Sequence, residues 1–488
     1  MRPSRKKPLK VLDRYFSVFL NSNRLVFLFF LLLVFASKYP TSGVPLHWDE
    51  QGYVSRAIMA RNNNYNPFMD VWAYHPPMMP MLGALAYGFF GYTVSINRII
   101  IAVFSVIALY YLYAIGSHTY SREVGIIASI MLWASPIFFI QSGFFLAEVP
   151  FTALSLATIF FYLKNKRTAY IVTASIMMLT KEPAVFVISS ICAYELFCLS
   201  KNRCSLMPRL AFLASPLLVF FAWMVLNKAI MGWYLCPDHM SAFQIIPAEI
   251  WARLKHILMI TFWIQHRYAN LAIIFAGLAI ALVSRKVRSA LLRKEMLLYL
   301  ILAISLAGFF SFLTVESFLA RYILILHPFF YLFTAATICG LSRFNLLRFL
   351  MVLVIVALSI SAWFGTQIVP SGEISFSHLS FIRLHHKAAS IIESNYSDYR
   401  IFAAWPELST LKDPSFGYVN KSMETAGPEA AVNAEGDVLI VYSKNIQRLK
   451  SQGLRRLAYD LRERVERIIQ VKNHQDTIYI YVVPKTGS

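Results

Sequence analysis

Ten stretches of this chain, at 24–40, 96–115, 123–141, 147–163, 184–200, 209–228, 269–284, 296–314, 320–340 and 347–368, are apolar over lengths that can cross a hydrocarbon core. Nothing constrains the fold more, because backbone polar groups in lipid must be satisfied within their own segment, which makes such runs helices. An eleventh run, 169–180, is apolar but short: about 12 residues at ~1.5 Å rise reach ~18 Å of a ~30 Å core. Counting it gives eleven spans. The composition agrees: 488 residues, 58% hydrophobic and 15% charged, with mean hydropathy +0.55, exclude an ordinary soluble domain. The expected fold class is an all-α polytopic membrane protein with a C-terminal soluble α/β domain.

The basic clusters fix an expected orientation. "MRPSRKKPLK", "KNKR" at 164–167, "KNR" at 201–203, "RKVRSALLRK" and "RFNLLR" all fall on one side of an eleven-span chain, and that side is cytoplasmic by the positive-inside rule. The formal charge of +21 is therefore topological. Its basic residues are scattered over loops rather than forming one stripe, so no nucleic-acid partner is expected. The basic segment before "LVFLFFLLLVFAS" resembles a signal peptide, but the run is long and many spans follow, so it is assigned as an uncleaved first span. Five cysteines give no disulfide framework: Cys192, Cys198 and Cys339 lie in spans, Cys204 in a cytoplasmic loop and Cys236 on the outer side. No Cys or His cluster has zinc-ligand spacing.

With the amino terminus inside, residues 41–95, 142–147, 229–268, 315–320 and everything after 369 face outward. The 41–95 segment carries two amphipathic pieces, Asp49 to Arg61 and Pro77 to Phe90, suited to the membrane surface. "PAEIWARLKHILMITFW" in the 229–268 loop reads as another interfacial helix, with Trp251 and Trp263 fit for the headgroup zone. The membrane domain is assigned to 1–369. Residues 370–488 read as a separate outer domain: a helix at "LHHKAASIIESN", a strand at "DVLIVYS", a basic helix at 444–467, and strands at 467–472 and 477–483. It has no Gly-rich phosphate loop, so its expected role is acceptor handling or a lid.

The chemistry-bearing residues collect at the outer ends of the spans. Asp49 and Glu50 stand in "HWDEQGYVSRAIMARNNN", just after the first span, where an acid also serves as an ordinary helix cap. His75, Arg98, Glu148, Lys181, Glu316 and Arg321 recur at the same level, and a mixed ring of acids and bases suggests a site. Lys181 is the least ordinary: the short run before it puts the Lys181-Glu182-Pro183 corner below the outer surface, where a lysine costs roughly 2.5–3.5 kcal/mol without a partner. That partner is an acid, Glu182 or another, or an anionic ligand. Arg321 has Glu316 as a nearby acid. One or two carboxylates, several cations and a lipid-facing wall suit a substrate with an anionic head and an apolar tail, such as a lipid-linked sugar phosphate.

"HWDEQGYVSRAIMARNNN", "YHPPMMPMLGALAYGFFGYTVSINRI", "FFLAEVPFTAL", "MMLTKEP" and "RYILILHPFF" together resemble the GT-C glycosyltransferase superfamily over roughly residues 1–340, and within it the bacterial branch near protein O-mannosyltransferases and aminoarabinose lipid A transferases. The resemblance implies Asp49 as catalytic base and Glu148 as a second acid. This chain has His75 where the family's Pro-Pro motif often carries a lysine, and Gly52 where the aminoarabinose enzymes tend to have an arginine. It also implies a bacterial inner membrane location, a polyprenyl-phosphate-sugar donor, and an envelope glycolipid, glycan or protein as acceptor.

The expected chemistry is an inverting transfer on the extracytoplasmic face. A polyprenyl phosphate is already a good leaving group, so cations near it replace a dedicated acid. Asp49, Glu50 and Glu148 are the catalytic candidates; Lys181, Arg321, His75 and Arg98 the phosphate-binding ones; Tyr53, Glu182 and Glu316 the substrate-orienting ones. No cofactor is expected, with a divalent ion between Asp49 and Glu148 as the alternative. The rival from another class is a transporter or flippase of a lipid-linked anion, which would show repeated halves and broken helices at the midplane.

Overall fold

The structure is a computed structural model that describes residues 22–68, 75–199, 203–237, 247–264, 268–285, 293–313, 318–341, 345–364, 376–403, 406–427, 438–443, 465–473 and 477–483, with a few isolated positions besides. Glu316 and most of the basic helix expected at 444–467 lie outside these residues.

Each of the eleven apolar runs falls on helix, from Asn23–Lys38 through to Asn345–Trp363. Three helices among the described residues are individually long and apolar enough to cross a membrane: Val94–Thr119, Ala320–Leu341 and Leu346–Trp363. Leu206–Ala214 and Leu217–Met231, bent by 43°, make a fourth if counted as one span. Among the described residues eleven full-length spans are thus not confirmed, and at one run the reason is local. The run at 123–141 divides at Ser135-Pro136 into Arg122–Ala134 and Pro136–Gln141, where Ser135 Oγ accepts the Phe138 N–H at 3.4 Å and proline takes the first helical position.

Burial separates lipid-facing from interior helices. The Ala320–Leu341 span is 83% buried and the Leu346–Trp363 span only 17%, so the second presents its apolar face outward as a lipid-contacting helix does. Inside, Val94–Thr119 and Arg122–Ala134 approach through glycines: a Cβ on Gly125 would stand 2.4 Å from the Tyr113 carbonyl oxygen. Only a residue without a side chain fits there.

Two helices between the first and second apolar runs, Trp48–Asn62 and Met78–Phe90, pack on each other. The second begins where the Met78 N–H donates to the Leu179 carbonyl at 2.8 Å, at the end of the short helix Arg167–Met178. The segment between those runs is thereby fastened to the corner that carries Lys181.

After the last span, a helix at Phe376–Asn395 packs against a five-stranded sheet of β1 (Arg400–Ala403), β2 (Thr425–Ala426), β3 (Val438–Ser443), β4 (Arg467–Lys472) and β5 (Thr477–Val483). The order is β2-β1-β3-β5-β4, with β1 parallel to β2 and β3, and β5 antiparallel to β3 and β4. Register places Ile401 beside Leu439 and Ile440 beside Tyr481. The three strands expected from sequence are present; β1 and β2, too short to show a period, were not foreseen.

This unit sits directly on the start of the Trp48–Asn62 helix. Leu46 N–H donates to the Phe416 carbonyl at 3.0 Å, Tyr418 donates to the Leu46 carbonyl at 3.0 Å, and Ser409 Oγ donates to Gln51 Oε1 at 2.8 Å. Trp48 is ringed by His378, Phe381 and His385 of the Phe376–Asn395 helix, with centroids 5.4–5.9 Å away.

A candidate active site between the helix bundle and the C-terminal unit

The site is built from the start of the helix Trp48–Asn62. His47 caps it: its ring Nδ1 accepts the Asp49 N–H at 3.2 Å, while Glu50 Oε2 accepts the His47 N–H at 2.7 Å, a reciprocal capping box. Successive residues on a helix point about 100° apart, so the two acids separate at once. Asp49 keeps 35% of its side chain exposed and Glu50 none.

Glu50 turns inward. Its Oε1 accepts from the Phe145 N–H at 2.5 Å and from Arg98, and Arg98 also donates to the carbonyls of Val44 and Pro45 at 3.2 and 3.3 Å. Glu50 and Arg98 thus tie three segments together behind the site. Neither lines the cavity, in contrast to the direct roles expected from sequence; the pairing consumes both charges.

Asp49 faces a cavity of about 640 Å³, lined also by Gln51, Tyr53, Arg56, His75, Glu148, Arg321 and Tyr322 from the membrane domain and by Ser409 and Phe416 from the C-terminal unit. Arg321 spans its wall: Nη2 donates to Asp49 Oδ2 at 2.5 Å and Nε to Glu148 Oε1 at 3.1 Å. Lys181 stands behind Glu148, donating to the same Oε1 at 2.8 Å, with its ammonium 4.3 Å from the Tyr322 ring centroid. The buried lysine therefore has an acid partner, and it is Glu148 rather than Glu182. Glu182 instead meets His75, whose Nδ1 lies 3.1 Å from both carboxylate oxygens, and the His75 ring stacks on Tyr53 at 6.1 Å.

Several lining residues were missed from sequence, among them Gln51, Tyr322, Ser409, Phe416 and one further cation. Arg56 is 8% exposed and opens onto the cavity. The signal was its spacing: Asp49, Tyr53 and Arg56 stand at i, i+4 and i+7, one face of a helix. Among the described residues no group of three His, Cys, Asp or Glu has a metal-holding arrangement.

The roof carries a pH-sensitive contact. The His378 ring lies 4.7 Å from that of His47, tilted by 50°. Burial first, then the charges of Arg321 and His385, push its pKa down to about 3. Undocked, the same histidine titrates near ~6.5. The docking free energy it contributes is complete above ~6.5 and is lost as pH falls toward the docked value, on the order of 2 kcal/mol by pH ~5. Thermal unfolding and proteolysis of the C-terminal unit measured from pH 7.5 to 5 should show weakened docking, and His378→Phe should flatten that dependence. A profile identical in the two proteins would remove His378 as its source.

In bringing an acid and an arginine together on a helix bundle beneath an α/β unit, this chain resembles glycosyltransferases of the GT-C superfamily. Residues 74–228 match the family described as dolichyl-phosphate-mannose-protein mannosyltransferase. The fold is shared with ArnT from Cupriavidus metallidurans in the apo state, over 93% of this chain and 97% of that one, at 13% identity and a TM-score of 0.58. The same enzyme bound to undecaprenyl phosphate gives 12% identity and a TM-score of 0.58 over the same shares. The oligosaccharyltransferase AglB from Archaeoglobus fulgidus, in complex with an inhibitory peptide and a dolichol-phosphate, matches 86% of this chain and 69% of its own at 11% identity and a TM-score of 0.51. Curated protein sequences contain no match.

Proposed function

We propose that this protein is a membrane glycosyltransferase that moves a sugar from a polyprenyl-phosphate-linked donor to an acceptor hydroxyl on the extracytoplasmic face of a bacterial inner membrane. The observation that carries the reading is the Asp49–Arg321–Glu148 bridge on the wall of a roofed cavity. It joins the parts an inverting displacement needs: a half-exposed carboxylate and a cation already at its side.

Arg321 is the switch. In the bridge it neutralises Asp49; a donor phosphate competes for its guanidinium and frees the carboxylate as base. Asp49 then takes the acceptor proton as the acceptor oxygen bonds to the anomeric carbon and the carbon–oxygen bond to the phosphate breaks. The polyprenyl phosphate departs with the bonding electrons, held by the cation, so no separate acid is required. Glu148 and Lys181 hold Arg321 in register, Tyr53 and the His75–Glu182 pair shape the sugar pocket, and Glu50 and Arg98 fix the helix that carries Asp49. Arg321 bridges the two carboxylates, and a cationic side chain there can supply the electrostatic role of a divalent ion.

Mass spectrometry of envelope glycans, glycolipids and proteins with and without the gene tests this reading. A sugar substituent should be missing in the deletion strain, return with the wild-type gene, and stay missing with Asp49→Asn. Reporter fusions after Phe90 and Ser488 should report the outer face, and fusions within 201–209 the cytoplasm. An unchanged envelope, or a cytoplasmic carboxyl terminus, would overturn it.

A further inference from the structure

A second cavity opens at the far end of the helix that carries Glu148. Glu148 is the first residue of Glu148–Leu163, and the last turn of that helix borders a cavity of about 450 Å³, ~22 Å along the axis. Its wall carries Lys166 and Arg167 from the turn into Arg167–Met178, Arg209 from Arg203–Ala214, and the rings of Tyr162, Tyr170 and Phe212. No acid is among its described lining residues.

Two of the three cations are held in place. Arg209 Nη2 donates to Glu195 Oε1 at 2.6 Å, and the Tyr162 hydroxyl donates to the same oxygen at 2.6 Å. Glu195 is 3% exposed and stands behind the wall. A guanidinium has five N–H donors, more than one carboxylate engages, so Arg209 is fixed from behind while it lines the cavity. The Arg167 guanidinium carbon lies 5.8 Å from the Phe212 ring centroid, and Tyr170 next to that ring donates to the Leu213 carbonyl at 2.7 Å. A charge bias between loops asks only for basic residues on one side. It does not ask for a buried carboxylate to orient one cation and a ring to orient another.

The surroundings select the ligand. Converging guanidinium and ammonium groups favour a phosphate, and a cavity of this size encloses a small headgroup. Apolar surface begins at its rim: Val172 and Ile176 lie 51% and 40% exposed on Arg167–Met178, and Met207, two residues before Arg209, is 69% exposed. A soluble anion has no use for that surface, whereas acyl chains lie on it. Basic pockets between membrane helices hold lipid headgroups in this way.

We propose that this cavity binds the phosphate of an anionic phospholipid, with Lys166, Arg167 and Arg209 around the headgroup and the acyl chains along the exposed apolar face of Arg167–Met178. The inference needs only a membrane-embedded chain and is independent of the glycosyltransferase reading.

The test uses the full-length protein in detergent, with phosphatidylglycerol, phosphatidylcholine and soluble glycerol 1-phosphate as probes and native mass spectrometry as readout of what stays bound. Wild type should retain phosphatidylglycerol in preference to phosphatidylcholine. Arg167→Gln should lose about tenfold or more of that preference and Arg167→Lys should keep most of it, with melting unchanged. Lys166→Gln should lose about fivefold, and it decides the matter if Arg167→Gln melts lower. Lys164→Gln removes an exposed cation of the same loop that does not line the cavity, and should change the preference by less than about threefold. Equal losses in Lys164→Gln and Arg167→Gln would reduce the effect to general surface charge and overturn the proposal. So would an unchanged preference in both Arg167→Gln and Lys166→Gln, or glycerol 1-phosphate bound as tightly as the lipid. Envelope product plays no part in this readout, so the glycosyltransferase reading fails separately, through an Asp49→Asn protein that still makes the product.

Discussion

Asp49→Asn is expected to abolish most transfer, by roughly 10²- to 10⁴-fold, the usual scale for loss of a general base, while leaving the fold and donor binding in place. Asparagine retains the shape and one acceptor oxygen for Arg321, so the wall of the cavity keeps its geometry. What it loses is the capacity to take a proton. The half-exposed carboxylate forms no bond on which the helix start depends, since the cap is made by His47 and Glu50. Melting should therefore stay near wild type. Near-normal turnover in the purified variant would mean that Asp49 serves only to neutralise Arg321, and another group would have to be the base.

Lys181→Met is expected to show the largest loss of stability. Its ammonium and Glu148 are both buried, 7% and 6% exposed, and removal leaves the carboxylate with Arg321 alone. Breaking one side of a buried pair typically costs about 3–5 kcal/mol, and the remaining arginine contact puts the expected loss at the lower end, about 3 kcal/mol. Adding Glu148→Gln should restore most of it; adding Glu182→Gln should not, because that acid belongs to His75. Thermal denaturation of the single and the two double variants separates these outcomes. Unchanged melting together with lost undecaprenyl phosphate binding would instead make Lys181 a direct phosphate ligand.

The fold was legible where a single physical constraint dominates. Apolar runs had to become helices, because backbone polar groups in lipid must be satisfied within their own segment. The outer acid, the second acid at Glu148 and the arginine at 321 could be singled out because charges at span ends are costly unless used. Their pairing could not. Asp49 and Arg321 are separated by 272 residues, and nothing local distinguishes Glu148 from Glu182 as the partner of Lys181. The division of labour between Asp49 and Glu50 needed the capping box, which turns one acid inward as it turns the other out. Arg56 went unnoticed because it was weighed as part of a polar helix rather than by its phase relative to Asp49. Ser409 and Phe416 carry no motif at all, and only their position over the cavity marks them.

That last arrangement sets a timetable for synthesis. The bond from Ser409 to Gln51 joins residues 358 apart, so the helix bearing Asp49 leaves the ribosome long before its cover exists. A nascent or truncated chain has the carboxylate and the arginines facing open water, where a bound sugar phosphate would meet solvent as readily as an acceptor. If the protein is the glycosyltransferase proposed above, futile hydrolysis of its donor is avoided only once the carboxyl-terminal quarter has folded down. On the proposed reading, a protease that removes that unit would turn a transferase into a hydrolase that returns the lipid carrier and wastes the activated sugar.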